Sequence, residues 1–349
     1  LHSAPATAKD QFENVIWYDV GISRNVHPIN DFISLIKLCV VCYKFRPDII
    51  HSIMPKSGLL TAIAAWLMRV PVRMHTFTGQ IWDTKFGLYR RFYQYIDKFI
   101  ISLNTTCLTD SPSQSQHLFD NGIDLHGAPL PVLGLGSLIG VDLDRFDIQS
   151  IASKAVVNRA SLDINENDFV IAYIARKTRD KGAIDMLRGF HLARKYNRNM
   201  RLLFIGPDES GGEIDLLRFT EPELFEFVIE RGSVTNHEEY LLVSNVLCLP
   251  SYREGFGTVV LDAAALSIPT VGSRIAGLID SVADESTGLL FPVGDLQRMS
   301  DLLCKLNADR QSLIQLGFEA RRRVEESFSS ERMARLLADF YREQLSLGR

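Results

Sequence analysis

Short apolar runs alternate with amphipathic stretches along this chain, and that alternation constrains the fold class before any motif is considered. Brief apolar runs bounded by polar turns read as strands buried on both faces. The amphipathic stretches between them read as the crossover helices that a parallel sheet needs. In the first half the pattern predicts strands near Val15–Tyr18, Asp48–Ile53, Val72–Thr76, Cys107–Thr109 and Pro131–Leu135, with helices near Ile29–Phe45, Lys56–Arg69, Lys85–Leu103 and Ser113–Asn121. In the second half it predicts strands near Phe169–Ile174, Arg201–Ile205, Phe227–Glu230, Val246–Leu249, Thr270–Gly272 and Gly288–Phe291. The helices there fall near Gly182–Tyr196, Glu238–Val243, Thr258–Ser267, Leu296–Asn307 and Asp309–Ser327.

A chain of 349 residues is long enough for two such domains. The polar stretch Asn158–Asp168 separates them, so residues 1–160 are expected to form one Rossmann-like domain and residues 161–328 a second. Residues 329–349 read as a terminal helix whose Met333, Leu336, Leu337, Phe340 and Tyr341 share a face, able to pack against either half, the N-terminal one included. Two halves of this kind leave a cleft, with ligands beyond the carboxyl ends of the strands. The opening stretch has no glycine-rich turn before Gly21, so the first βα unit of the N-terminal domain is expected to be missing.

Composition narrows the function classes. A formal charge of −4 argues against a dedicated nucleic-acid binder. The longest apolar runs, such as Leu59–Met68, are too short to span a bilayer, and no secretory signal pattern is visible. The five cysteines are scattered and odd in number, which argues against a disulfide framework, so a reducing cytoplasm is expected. Cys39 and Cys42 form a C-x-x-C inside a predicted helix and read as buried helix residues, since no second Cys or His pair completes a site.

The segment Pro250–Leu278 carries the most chemistry. Glu254 stands before a predicted helix start, flanked by Gly255, Phe256 and Gly257, and Asp262 lies inside the helix among apolar neighbours. Glycines let a backbone come close to a ligand, and the amides of a helix N-terminus face an anion. Glu254 reads either as an acceptor for sugar hydroxyls or as a solvated loop carboxylate. Asp262 needs partners in its apolar setting, which ribose hydroxyls or a structural hydrogen bond would supply. The loop ARKTRDKG after the strand Phe169–Ile174 offers Arg176 and Lys181, two cations suited to a diphosphate.

Together these motifs resemble the retaining GT-B glycosyltransferases of family four, the glycosyl transferases group 1, of the type that builds bacterial capsule, O-antigen or exopolysaccharide. The matches are Arg176 with Lys181, the EGFG segment with Glu254 and Asp262, Gly232–Val234, Leu249–Ser251 and Thr287–Leu290. In the first half they are RPDIIHS, PKSGLLTAIAAWL, VPVRMHTFTG, TDSPSQ and GVDLDRF. The resemblance implies an α/β GT-B fold with two domains facing across a cleft, and a transferase that uses a nucleoside-diphosphate sugar, most naturally UDP-linked, without a metal. It implies that Arg176 and Lys181 neutralise the diphosphate and that Glu254 holds the transferred sugar. The amides of Gly255, Phe256, Gly257 and Thr258 would contact sugar and phosphates, Asp262 the ribose and Val234 the base. Asp262 stands where the family more often has the longer Glu. The family's donor-contacting His aligns with Thr78; His75 either moves into that role or is a strand residue, the reading favoured here. Asp142 and Asp144 form a D-x-D in the phrase GVDLDRF and read as structural.

The expected acceptor is a polysaccharide or lipid-linked glycan. The basic, aromatic stretch Tyr89–Phe99 could rest on an anionic membrane face or meet a lipid-linked acceptor, and reads equally as an ordinary helix with one apolar face. A sugar-nucleotide epimerase or phosphorylase of the same fold, or a catalytically weak sugar-nucleotide-binding protein, are the alternatives at this stage.

Overall fold

The computed structural model describes residues 15–23 and 26–347. The first half carries a parallel sheet of β1 (Ile49–Ser52), β2 (Val72–Phe77) and β3 (Thr106–Thr109), side by side in that order. Around it lie α1 (Pro28–Phe45), α2 (Pro55–Leu67), α3 (Gly87–Leu103) and α4 (Pro112–Asp120), and α5 (Ile148–Lys154) leads into the second half.

The second half is a six-stranded parallel sheet. Its strands are β4 (Phe169–Ile174), β5 (Met200–Ile205), β6 (Val228–Arg231), β7 (Val246–Leu249), β8 (Thr270–Ser273) and β9 (Gly288–Phe291), in the spatial order β6-β5-β4-β7-β8-β9. Its helices are α6 (Ala183–Tyr196), α7 (Glu213–Thr220), α8 (His237–Leu242), α9 (Thr258–Ala265), α10 (Leu278–Ser281), α11 (Leu296–Ala308) and α12 (Arg310–Ser327). The strand order reverses between β4 and β7, so the crevice of this sheet opens beyond their carboxyl ends.

Both sheet faces are covered at the centre of the sheet, which is why β4 and β7 are continuous apolar runs. On β4, Phe169, Ile171 and Tyr173 pack with Met186, Leu187 and Phe190 of α6 and with Met299 and Leu303 of α11. Ala172 points to the opposite face, among Leu247, Leu249, Val260 and Leu261. The period-two alternation of strand side chains sorts one run between two cores.

α13 (Ser330–Leu347) returns to the first half, where Phe340, Tyr341 and Leu345 pack against Val72, Met74 and Leu108 of its sheet. The Tyr341 hydroxyl lies 2.7 Å from His51 Nδ1, and His51 Nε2 lies 2.8 Å from Thr76 Oγ1. The two chain crossings between halves are bonded to each other: Val141 N–H donates to the Phe328 carbonyl and Ser330 N–H to the Val141 carbonyl, both at 2.8 Å.

Two predicted strands are corrected. Val15–Tyr18 has strand-like composition but forms no ladder, and Val15 and Ile16 are exposed. Within Pro131–Leu135 only Val132 bridges Thr109, because Gly134 and Gly136 take positive φ values of 57° and 108° and turn the chain away. The short helices α5, α7 and α10 escaped the sequence pattern.

The first core buries a carboxyl. Asp97 of α3 accepts a hydrogen bond from Trp82 Nε1 at 2.7 Å, and both side chains are buried. Burial raises the Asp97 carboxyl to about 7, against the opposing indole hydrogen bond. The folded state therefore holds a proton that the unfolded chain has released, and stability falls as pH rises from about 4 to about 7, by up to about 1.4 kcal/mol per pH unit. Asp97→Asn keeps an oxygen for the indole and should remove this carboxyl's share of the slope, leaving the share of the buried Asp110, which is raised to the same range. Urea unfolding at pH 5 and pH 7 checks it; an unchanged difference between the two pH values would count against a buried, protonated Asp97.

Candidate functional site

The reversal between β4 and β7 opens a cavity of about 310 Å³. It is lined by Ile174–Arg176 after β4, Ile205–Pro207 after β5, Ser233 and Val234 after β6, His237 of α8, and Val259 and Asp262 of α9. Arg176 leaves the end of β4 and lines the cavity, paired with Glu209 at 3.0 Å. Its neighbour Lys177 turns the other way, buried against Glu230 and the Phe204 ring.

Lys181 and Glu254 meet in an ion pair of 2.7 Å, with side chains 16% and 11% exposed. Glu254 also accepts from Ser251 Oγ at 2.9 Å, and Lys181 donates to the Arg253 carbonyl at 3.1 Å. Beneath them the buried Tyr173 hydroxyl donates to the carbonyls of Arg176 and Lys181, fixing the β4–α6 turn from below. Asp180 locks this turn to the β7–α9 loop, since Arg253 Nη2 donates to it at 2.7 Å and Tyr252 N–H donates to its carbonyl. Burial pushes the Asp180 carboxyl up, but the hydrogen bonds from Thr178 and Arg253 and the charges of Arg253 and Lys181 outweigh it and hold it at about 2.

The loop after Glu254 runs over Gly255 and Gly257 into α9. Gly257 takes a φ of 74° at the helix start, and Gly255 packs against the Asp110 carboxyl. The Phe256 ring is buried against Phe328, at 5.4 Å between centroids, so only its backbone faces the loop. Thr258 is exposed at the first position of α9. Asp262, one turn further on, is bonded to His237.

The first half supplies the facing wall. Gly79 lies against Glu254 and Gly255 so closely that a Cβ there would come within 2.7 Å of the Glu254 carbonyl carbon. This places the half-buried Thr78 next to the loop. Arg253 Nη1 donates to the Gly79 carbonyl at 2.9 Å, and Gln114 Nε2 donates to the Glu254 carbonyl at 2.7 Å. Ser113 N–H and Oγ both donate to Asp280, and Gly277 N–H donates to Ser113 Oγ. His75, by contrast, sits inside β2, buried with its Nδ1 2.9 Å from Ser52 Oγ and its ring against Gly58. Burial and the neighbouring His51 lower it to about 3, and it does not line the cavity. Asp142 accepts from the amides of Asp144 and Arg145, a closed turn of its own.

Asp110, Gln114, Ser251, Arg253 and His237 were not singled out from the sequence. Asp110 is buried at the end of β3 with Oδ1 unpartnered, and burial, with the charges of Glu254 and Asp280 adding to it, raises its carboxyl to about 7. Its available signals were its place in the TDSPSQ phrase and its position directly after a fully buried strand, at the strand's carboxyl end.

The geometry has counterparts in known proteins. Residues 157–323 match the family described as glycosyl transferases group 1, and residues 10–131 match the glycosyl transferase 4-like domain. A capsular polysaccharide biosynthesis glycosyltransferase, CapM, of Staphylococcus aureus is 28% identical over 334 residues, covering 95% of this chain and 86% of that one. A UDP-Gal:alpha-D-GlcNAc-diphosphoundecaprenol alpha-1,3-galactosyltransferase of Escherichia coli is 25% identical over 332 residues, covering 92% and 81%. The solved sucrose-phosphate synthase of Thermosynechococcus elongatus superposes with a TM-score of 0.75 at 22% identity, over 93% of this chain and 81% of that one, and has the same two-domain GT-B fold.

Gly182 ties the two cationic and acidic loops together. It holds a φ of 66° after Lys181, and a Cβ there would collide with the Pro250 carbonyl. Gly182→Ala should cost on the order of 2 kcal/mol or more of folding stability. Denaturant unfolding measures it; a loss below about 0.5 kcal/mol would mean the turn relaxes freely.

Proposed function

Because the chain belongs to the glycosyl transferases group 1 family and is a glycosyltransferase, we propose that it moves a sugar from UDP to a cell-surface polysaccharide or lipid-linked glycan precursor, with retention at the anomeric carbon. The observation that carries this reading is that Arg176, Val234 and Asp262 line one cavity at the strand reversal, while the Lys181–Glu254 pair joins the turn after β4 to the loop before α9. Breaking the bond between sugar and nucleoside diphosphate develops negative charge on the leaving phosphate. Arg176, Lys181 and the amides of Gly255 to Thr258 would stabilise that charge, so the reaction is proposed to run without a metal. Glu254, already held by Lys181 and Ser251, would accept from hydroxyls of the transferred sugar. Asp262 would take the ribose and Val234 the base, while Thr78 approaches the sugar from the facing wall. The acceptor hydroxyl attacks the face that the phosphate leaves, and the departing phosphate takes its proton.

UDP as the carrier and a lipid-linked acceptor are supported by the Escherichia coli relative, whose named reaction joins UDP-Gal to a GlcNAc-diphosphoundecaprenol. They also fit the surface. No described helix is long and apolar enough to cross a membrane. α3, however, exposes Leu88, Tyr89, Phe92, Tyr95 and Phe99, with Arg91 and Lys98 exposed among them. A stripe of this composition suits the headgroup level of an anionic bilayer, and we place the enzyme there on the cytoplasmic face.

Arg176→Ala and Glu254→Ala should each lower kcat/KM for UDP-sugar turnover by about 10²–10³-fold in the folded protein. Unchanged transfer by both would remove the site assignment, and an inverted anomer in the product, read by NMR coupling constants, would remove retention. Phe92→Ser with Tyr95→Ser should weaken co-sedimentation with vesicles containing an anionic lipid by about tenfold or more. Equal binding by variant and unsubstituted chain would show that α3 does not face the bilayer.

A further inference from the structure

One pair in the cavity joins Asp262, assigned above to the ribose, to a histidine that has been given no role. His237 opens α8 and Asp262 lies in α9, and both line the cavity beside Ser233, Val234 and Val259. Imidazole Nε2 stands 3.0 Å from Asp262 Oδ2, with side chains 22% and 20% exposed. Facing a carboxylate, Nε2 carries the proton and donates. Asp262 Oδ1 has no protein donor among the described residues, and Asp262 lines the cavity. The ring is itself held, with Phe146 packed on it at 5.7 Å between centroids. Its other nitrogen stands 3.7 Å from Glu238, beyond hydrogen-bond reach, and Glu238 is engaged by Arg145 at 2.8 Å.

A short carboxylate on a helix has few rotamers and little reach. A fixed donor at Oδ2 selects one of those rotamers and leaves the other oxygen facing the ligand, at little entropic cost on binding. We propose that His237 is a positioning residue that fixes Asp262 for the vicinal hydroxyls of the donor's pentose, so that the nucleotide is selected by the pair and not by the carboxylate alone. This inference rests on the donor-cavity reading above.

The test is titration calorimetry of the full chain with UDP and with 2′,3′-dideoxy-UDP. The unsubstituted chain should prefer UDP. His237→Ala should weaken UDP by about tenfold and leave the dideoxy analogue within about twofold, because only the hydroxyl contact depends on the pair. His237→Phe, which keeps a ring against Phe146 but lacks the donor, should show the same selective loss. His237→Gln, which keeps an N–H, should retain part of the preference. Adding Asp262→Glu to His237→Ala should restore preference for UDP, since the longer carboxylate needs no prop. Equal weakening of both ligands by His237→Ala and His237→Phe would reduce His237 to packing and overturn the proposal, as would no change in either. Absence of UDP binding by the unsubstituted chain would instead overturn the UDP reading of the donor site, and this inference with it.

Discussion

The Lys181–Glu254 ion pair is the contact on which the rest of the site depends. It joins the turn after β4 to the loop after β7, two strands adjacent in space only because the sheet reverses its order there. A largely buried ion pair is held by geometry and further hydrogen bonds as much as by charge, and removing one partner strands the other. Here Ser251, the Arg253 carbonyl and the Asp180–Arg253 bridge supply those further bonds. These bonds fix the orientation of the carboxylate and hold the cation beside it.

The first half completes the arrangement by backbone as much as by side chain. Gly79 has no room for a Cβ because the Glu254–Gly255 backbone occupies that space, and Gln114 reaches across to the Glu254 carbonyl. Asp110 brings a third carboxyl toward Glu254 and Asp280, and burial keeps it protonated over much of the acidic range. A neutral acid at this position avoids adding a third negative charge beside Glu254 and Asp280.

The sheet of the second half was legible because both of its faces are buried. Runs such as Phe169–Ile174 and Val246–Leu249 carry no polar interruption, so their limits in sequence and in structure coincide. Val15–Tyr18 and Pro131–Leu135 misled because apolar composition specifies a strand only where a neighbouring edge accepts its hydrogen bonds. Within the site, Arg176, Lys181, Glu254 and Asp262 were visible because loop cations and carboxylates next to glycines stand out locally; the structure puts Arg176 and Asp262 on the cavity wall and pairs Lys181 with Glu254. Asp110, Gln114 and His237 were hidden, since each becomes part of the site through contacts with residues 25 to 145 positions away. His75, three residues before Thr78 in sequence, lies within the first sheet, because a strand carries successive side chains to opposite faces and only its end reaches the cleft.

The two crossings at Val141 and Phe328–Ser330 are stapled to each other, and α13 lies on the first sheet. Order along the chain is thus not order in space: residues 330–347 ride with the half that begins the molecule. The halves are joined covalently by two chain segments that are also bonded to each other, and a gene boundary drawn at residue 329 would part α13 from the sheet it packs on.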